Sequence, residues 1–133
     1  MLWSDTAYAG FSTVEPWLPL GDGWREVHVE RQIKQPGSML NLYRALIDLR
    51  RREPALWRGS YVPVAVTETL LAYERRAEAE RLLVILDFSG RGGVLTIPPG
   101  TILLTTEGDG AGRQVVGALT ISPNEGLIIR LTG

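Results

Sequence analysis

Apolar positions recur with helical spacing most clearly between Ser38 and Pro54. Met39, Leu42, Tyr43, Leu46 and Leu49 fall at i, i+3, i+4, i+7 and i+10, and Leu40 and Ile47 widen the stripe. This predicts one amphipathic helix covered on more than half its girth. Ser38 is placed to accept a first-turn N–H as N-cap, and Pro54, which has no N–H to donate, is expected to stop the helix. Arg50, Arg51 and Arg52 fill the last turn, where the negative end of the helix dipole favours cations; they read as a solvated helix end rather than a nucleic-acid patch.

From Gly59 onward the period shortens. Seven β-rich runs, Tyr61 to Val66, Leu70 to Arg75, Arg81 to Phe88, Val94 to Ile97, Thr101 to Thr105, Ala118 to Ile121 and Leu127 to Leu131, are separated by turn residues, the spacing of a β-sandwich. Leu82 to Leu86 is apolar without interruption and therefore reads as a central strand buried on both faces. Leu127, Ile129 and Leu131 alternate with Arg130 and define one inward face. The clusters at 89–93, 98–100 and 108–112 read as turns; the last lacks the Gly-Lys-Ser/Thr element of a phosphate loop.

Residues 1–37 follow neither period. They hold Trp3, Tyr8, Phe11, Trp17 and Trp24, interrupted by Pro16, Pro19, Gly21, Gly23 and Pro36. Only Val27 to Ile33 is compatible with a helical turn, so the segment reads as a long loop, too aromatic to be disordered. The expected fold is thus mainly β: a C-terminal antiparallel β-sandwich over 59–133, preceded by an amphipathic α-helix over 38–54 and an aromatic-rich loop over 1–37.

Composition narrows the function classes. The chain has 133 residues, 44% hydrophobic and 22% charged, with a formal net charge of -1, no cysteine and one histidine. There is no concentrated basic surface for nucleic acid or anionic lipid, no thiolate or multi-histidine metal site, and no run long enough to span a membrane. The chain is expected to be cytoplasmic and to need no cofactor. Among the titratable groups, Glu74, Glu78, Glu80 and Glu107 read as solvated carboxylates, and Asp87 as a turn residue bonding nearby backbone N–H groups. His28 has no serine or cysteine motif beside it. No catalytic residue or metal ligand is assigned. The aromatic loop is the one feature that looks functional, and Trp3, Trp17 and Trp24 are its candidate sugar-stacking or docking residues.

The residues that carry a resemblance are Met1-Leu2-Trp3, Ala9-Gly10-Phe11-Ser12, Glu15-Pro16-Trp17-Leu18-Pro19-Leu20, Val29-Glu30-Arg31-Gln32 and the run Ser38 to Arg50, continued by Pro54-Ala55-Leu56, Gly59-Ser60-Tyr61, Tyr73-Glu74-Arg75 and Leu83 to Ser89. Together they resemble the C-terminal region of α-glucosidases in glycoside hydrolase family 13, in its oligo-1,6-glucosidase, maltase and trehalose synthase branch. The resemblance implies a (β/α)8 barrel followed by a β-sandwich. It implies that residues 1–37 form the loop after the eighth barrel strand, near the sugar-binding mouth, and that Ser38 to Glu53 form the last barrel helix. The family's catalytic carboxylates come from earlier strands and have no counterpart here. Leu2 stands where the family usually has Gln, and Asp87 where it commonly has Asn.

The resemblance therefore implies a C-terminal fragment of a retaining glycoside hydrolase or transglucosidase acting on α-glucosides, inactive and structural by itself. Its partners would be the missing barrel and, through the intact parent, an α-glucan or oligosaccharide. The alternative is a stand-alone carbohydrate-binding or interaction module. An uncovered stripe of Met39, Leu42, Leu46 and Leu49 is expected to favour self-association.

Overall fold

A computed structural model describes residues 1–133, which divide into two compact units, Met1–Arg44 and Ala45–Gly133.

In the first unit the loop has more local order than its period suggested. A 3-10 turn runs over Ala7–Gly10, a second over Trp24–Glu26, and helix α1 over Val29–Ile33. His28 is the N-cap of α1: its Nδ1 accepts the N–H of Arg31 at 3.3 Å. The first N–H groups of α1 also find partners outside the helix. Val29 N–H donates to Leu2 O at 2.9 Å and Glu30 N–H to Trp3 O at 3.0 Å, so the N-terminal residues are pinned by the orphan donors of a helix start.

Helix α2 spans Met39–Arg52. Ser38 caps it as expected, its Oγ accepting Asn41 N–H at 3.3 Å. The covered face is narrower than the periodicity implied. Leu49 is buried and Leu42 and Leu46 are half-buried, whereas Met39, Tyr43 and Ile47 are exposed. Pro54 ends α2 but also begins another helix, α3 (Pro54–Arg58); at the first helical position its missing N–H costs nothing and its fixed φ fits the helix.

The second unit carries six strands: β1 (Ser60–Val66), β2 (Leu70–Ala77), β3 (Glu80–Asp87), β4 (Gly93–Thr105), β5 (Gln114–Ile121) and β6 (Gly126–Leu131), all antiparallel in the order β1-β2-β3-β6-β4-β5. The seven expected strands become six because Pro98-Pro99-Gly100 does not turn the chain. It lies inside β4, where the register with β5 shifts between Ile97 and Gly100. Prolines that cannot donate to a ladder are tolerated at such a bulge; beyond it Gly100 and Thr101 keep their pairing with β5 on one side while β6 pairs on the other.

The sheet curls over itself to enclose its core. Ala72, Ile85 and Leu127 are cross-strand neighbours, as are Leu83, Ile129 and Ile102, and this face joins Ile97, Leu119 and Ile121 from the far end of the sheet in one buried cluster. Gly93, which opens β4, lies so close to β2 that a Cβ there would sit 2.9 Å from Leu70 Cδ1. A flat sheet would separate these two strands by β3 and β6. The strand β3 is central and buried on both faces, as its sequence predicts, and Leu127, Ile129 and Leu131 of β6 point inward while Arg130 is exposed.

The β2–β3 hairpin turns at Glu78-Ala79, and Glu78 has φ 54. A side chain in the left-handed region costs about 1 kcal/mol, and the exposed Glu78–Arg58 ion pair offsets little of that. Glu78→Gly is therefore expected to raise the thermal midpoint by a few degrees; a fall in differential scanning calorimetry would show that the ion pair outweighs the backbone strain.

Candidate functional site

The aromatic segment is held by backbone and amide bonds rather than by a packed core. Tyr8, Ala9 and Gly10 have φ values of 54, 55 and 68, three successive left-handed residues. For two of them this is a conformation that non-glycine residues rarely adopt in sequence. The turn aims the carbonyl of buried Ala9 at Trp3 N–H (2.9 Å) and Ser4 N–H (3.3 Å). Gly10 is required twice over, since a Cβ there would lie 2.6 Å from Ser4 Oγ.

The far side of the segment is tied by Gln32, Ser38 and Asn41. Gln32 Nε2 donates to Val27 O at 2.9 Å, and its Oε1 accepts Leu40 N–H at 3.0 Å. Ser38 Oγ donates to Gln32 O at 2.7 Å. Asn41 Nδ2 donates to the carbonyls of Gln32 (3.0 Å) and Gln35 (2.8 Å), which also accept the backbone N–H groups of Gln35 and Ser38 respectively. Three of the quoted motif residues thus form one capping network. Ser38 is legible in the sequence as the N-cap of α2, whereas Gln32 and Asn41 are legible only through the Gln35-Pro36-Gly37 break between two helices, where carbonyls lose their helical partners.

The three candidate tryptophans occupy different surroundings. Trp17 is 90% exposed and lines an apolar cleft of about 580 Å³ with Leu2, Phe11, Pro16 and Leu18. Trp3 and Trp24 do not line it. Trp3 is held through its backbone, and the half-buried Trp24 ring lies under the Arg25 guanidinium at 4.3 Å. Leu2, where the family usually has Gln, uses its carbonyl to hold α1 and adds its side chain to the cleft wall.

The carboxylates correct one expectation. Glu74 is buried, not solvated: Arg81 Nη2 and Nε donate to it at 2.9 and 3.1 Å, and Arg76 Nε at 2.6 Å. Glu74 and Arg76 alternate onto the same face, and Arg81 is the register partner of Arg76, so the pleat brings all three together. The hydrogen bond and charge of Arg81, aided by Arg76, hold Glu74 below its ordinary range in spite of burial.

Glu80 is likewise half-buried and accepts Ala55 N–H at 2.7 Å. Its neighbour Glu53 pairs with Arg130. Burial pushes both up, but hydrogen bonds from Glu80 and Arg130 bring Glu53 below the ordinary range, whereas the Glu53 charge and hydrogen bond keep Glu80 raised. Two carboxyls with opposed shifts resemble an acid and nucleophile pair. Here, however, the two carboxyls perturb each other directly and neither lines an apolar cleft, whereas retaining hydrolysis needs about 5 Å between them for a glycosidic bond. They fasten α3 to the sheet. No three His, Asp or Glu side chains converge as metal ligands, and no helix is long and apolar enough to cross a membrane.

Asp87 does take the turn role read from its sequence. Its Oδ1 accepts Ser89 N–H at 2.8 Å and the Ser89 hydroxyl at 2.6 Å; its Oδ2 accepts Gly92 N–H at 3.0 Å and Asn124 N–H at 2.7 Å. It therefore joins the β3–β4 turn to the β5–β6 turn. The Ser89 hydroxyl, followed by these backbone donors, holds the carboxyl well below the usual carboxylate range.

An aromatic loop, an amphipathic helix and a curled antiparallel sheet, in that chain order, match the C-terminal quarter of glycosidase-type folds. The chain belongs to the α-amylase family of glycoside hydrolases, family 13, and corresponds to the C-terminal region of its α-glucosidases. The family model for the alpha amylase catalytic domain matches residues 1–59. Trehalose-6-phosphate hydrolase of Bacillus subtilis is 30% identical over 98% of this chain, and oligo-1,6-glucosidase of Halalkalibacterium halodurans is 34% identical over 68% of it. Among solved structures, isomaltulose synthase from Klebsiella sp. LX3 superposes with a TM-score of 0.88 at 29% identity over 98% of the chain. The chain spans 24% of the length of the Bacillus subtilis enzyme and of the synthase, and 16% of the Halalkalibacterium enzyme.

Proposed function

We propose that this chain is the C-terminal part of a retaining α-glucoside hydrolase or transglucosidase, in which it serves structure rather than bond cleavage. The observation that carries the proposal is the position of its carboxylates: every buried one is consumed in an ion pair or a turn, and none of these lines either of the two apolar clefts. The names of its relatives, a trehalose-6-phosphate hydrolase and an oligo-1,6-glucosidase, together with an isomaltulose synthase as structural neighbour, support α-glucosides as the substrates of the whole enzyme. On this reading residues 1–37 border the sugar site from the last barrel loop, 38–54 supply the last barrel helix, 59–133 form a C-terminal sandwich, and the enzyme works in the cytoplasm. The missing barrel is the chain's intramolecular partner.

An epoxide that traps the nucleophile of retaining α-glucosidases tests this reading. The intact mass of the isolated chain is expected to stay unchanged after incubation, while a full-length oligo-1,6-glucosidase gains one adduct. A stoichiometric adduct on this chain would overturn the proposal.

The exposure of Trp17 favours one second reading, a sugar-binding module. Calorimetric titration with malto-oligosaccharides decides it: heat that disappears in Trp17→Ala supports it, and no heat at millimolar sugar removes it.

A further inference from the structure

The second unit contains a groove that the proposed function leaves unused. On the outer face of the sheet, Tyr73, Val84, Ile128 and Leu104 form a cross-strand row. Leu46 and Arg50 of α2 and Leu56 of α3 stand opposite, leaving a groove of about 770 Å³. That volume is within the range of small-molecule sites, which are mostly apolar with a few placed polar groups. The rings of Tyr61 and Tyr73, 5.0 Å apart, form one wall.

Charge decides what would fit. Arg50 and Arg75 both line the groove, and no Asp or Glu does. Each guanidinium is steadied by a backbone carbonyl, Arg50 Nη1 by Leu56 O and Arg75 Nε by Ala55 O, both at 3.1 Å. Neither takes part in an ion pair. Two positioned cations with donors to spare therefore stand above an apolar floor. A neutral sugar would leave that floor without a match, and a plain inorganic anion would not use it.

We propose that this groove binds an amphipathic monoanion, an aliphatic chain ending in a carboxylate. The chain lies on Val84, Leu104 and Ile128, and the carboxylate accepts from Arg50 and Arg75, whose planar forks suit two-pronged recognition of a carboxylate.

The test is isothermal titration of the 133-residue chain with octanoate, decanoate and dodecanoate below their micelle concentrations. Affinity is expected to rise by up to about fourfold per added methylene. Arg50→Gln and Arg75→Gln are each expected to weaken dodecanoate about tenfold or more. Arg50 lies on an exposed helix face, so its variant keeps the test sound should Arg75→Gln disturb α3. Dodecanol binding as tightly as dodecanoate would overturn the proposal, and so would unchanged affinity in Arg50→Gln. Displacement of dodecanoate by maltotriose would favour a sugar site instead. Absence of binding together with a dimer in light scattering would assign the groove to a second copy of the chain.

Discussion

Ile129→Ala is expected to lower the unfolding free energy by about 3 to 4 kcal/mol, a large part of what holds a small domain together. Ile129 is fully buried in β6, between Leu83 of β3 and Ile102 of β4. The cavity left by the truncation is lined from both neighbouring strands and from the curled-over end of the sheet, and a paired ladder on either side resists its collapse. Urea unfolding followed by far-ultraviolet circular dichroism measures the loss as a lower midpoint at unchanged slope. Val116→Ala, at a position 68% exposed on the edge strand β5, is the control and is expected to cost less than about 0.5 kcal/mol. Equal effects at the two positions would mean that the sheet does not close around a core.

The second large effect belongs to Asp87. Its carboxylate receives four hydrogen bonds from two separate turns. Asp87→Asn keeps one acceptor oxygen but turns an amide donor toward N–H groups that have no other partner in these turns, so the variant is expected to unfold at clearly lower urea concentration at pH 7. The carboxyl is held low in the folded chain. Its stabilising contribution is therefore complete above the unfolded-state value of about 3.9 and is lost as pH falls below that. Glu74 and Glu53 are shifted in the same direction, so both proteins weaken in acid, the parent more steeply. The gap between parent and Asp87→Asn midpoints should narrow from pH 7 to pH 2.5. A gap that stays constant would show that the loss comes from shape and not from charge.

Much of the fold was legible wherever period and burial coincide. Leu82 to Leu86 could only be a strand covered on both faces, and the alternation from Leu127 to Leu131 gave its inward side directly. Pro98-Pro99-Gly100 is ambiguous because the same residues mark a turn and a bulge; in the fold β4 keeps β5 past the bulge and gains β6 on its other side. The covered width of α2 was overread because Met39, Tyr43 and Ile47 carry apolar side chains that nothing in this chain covers. The aromatic segment carries family motifs but little physical signal of its own conformation. The left-handed turn at Tyr8 and Ala9 has no signature beyond Gly10, and the capping by Asn41 joins residues too far apart for local rules. The ion triad of Glu74 is readable in principle from period-two spacing within one hairpin, but a carboxylate in a charged run looks solvated until the Arg76–Arg81 register is known.

The central claim is that this polypeptide carries the family's motifs without the means to cleave a glycosidic bond. Its most direct test is incubation of the purified 133-residue chain with maltose, isomaltose and a chromogenic α-glucoside, following glucose and chromophore release over hours. No turnover above the buffer blank is expected, alongside full activity from an intact oligo-1,6-glucosidase under the same conditions. Steady, substrate-saturable turnover that co-purifies with the chain would contradict the account.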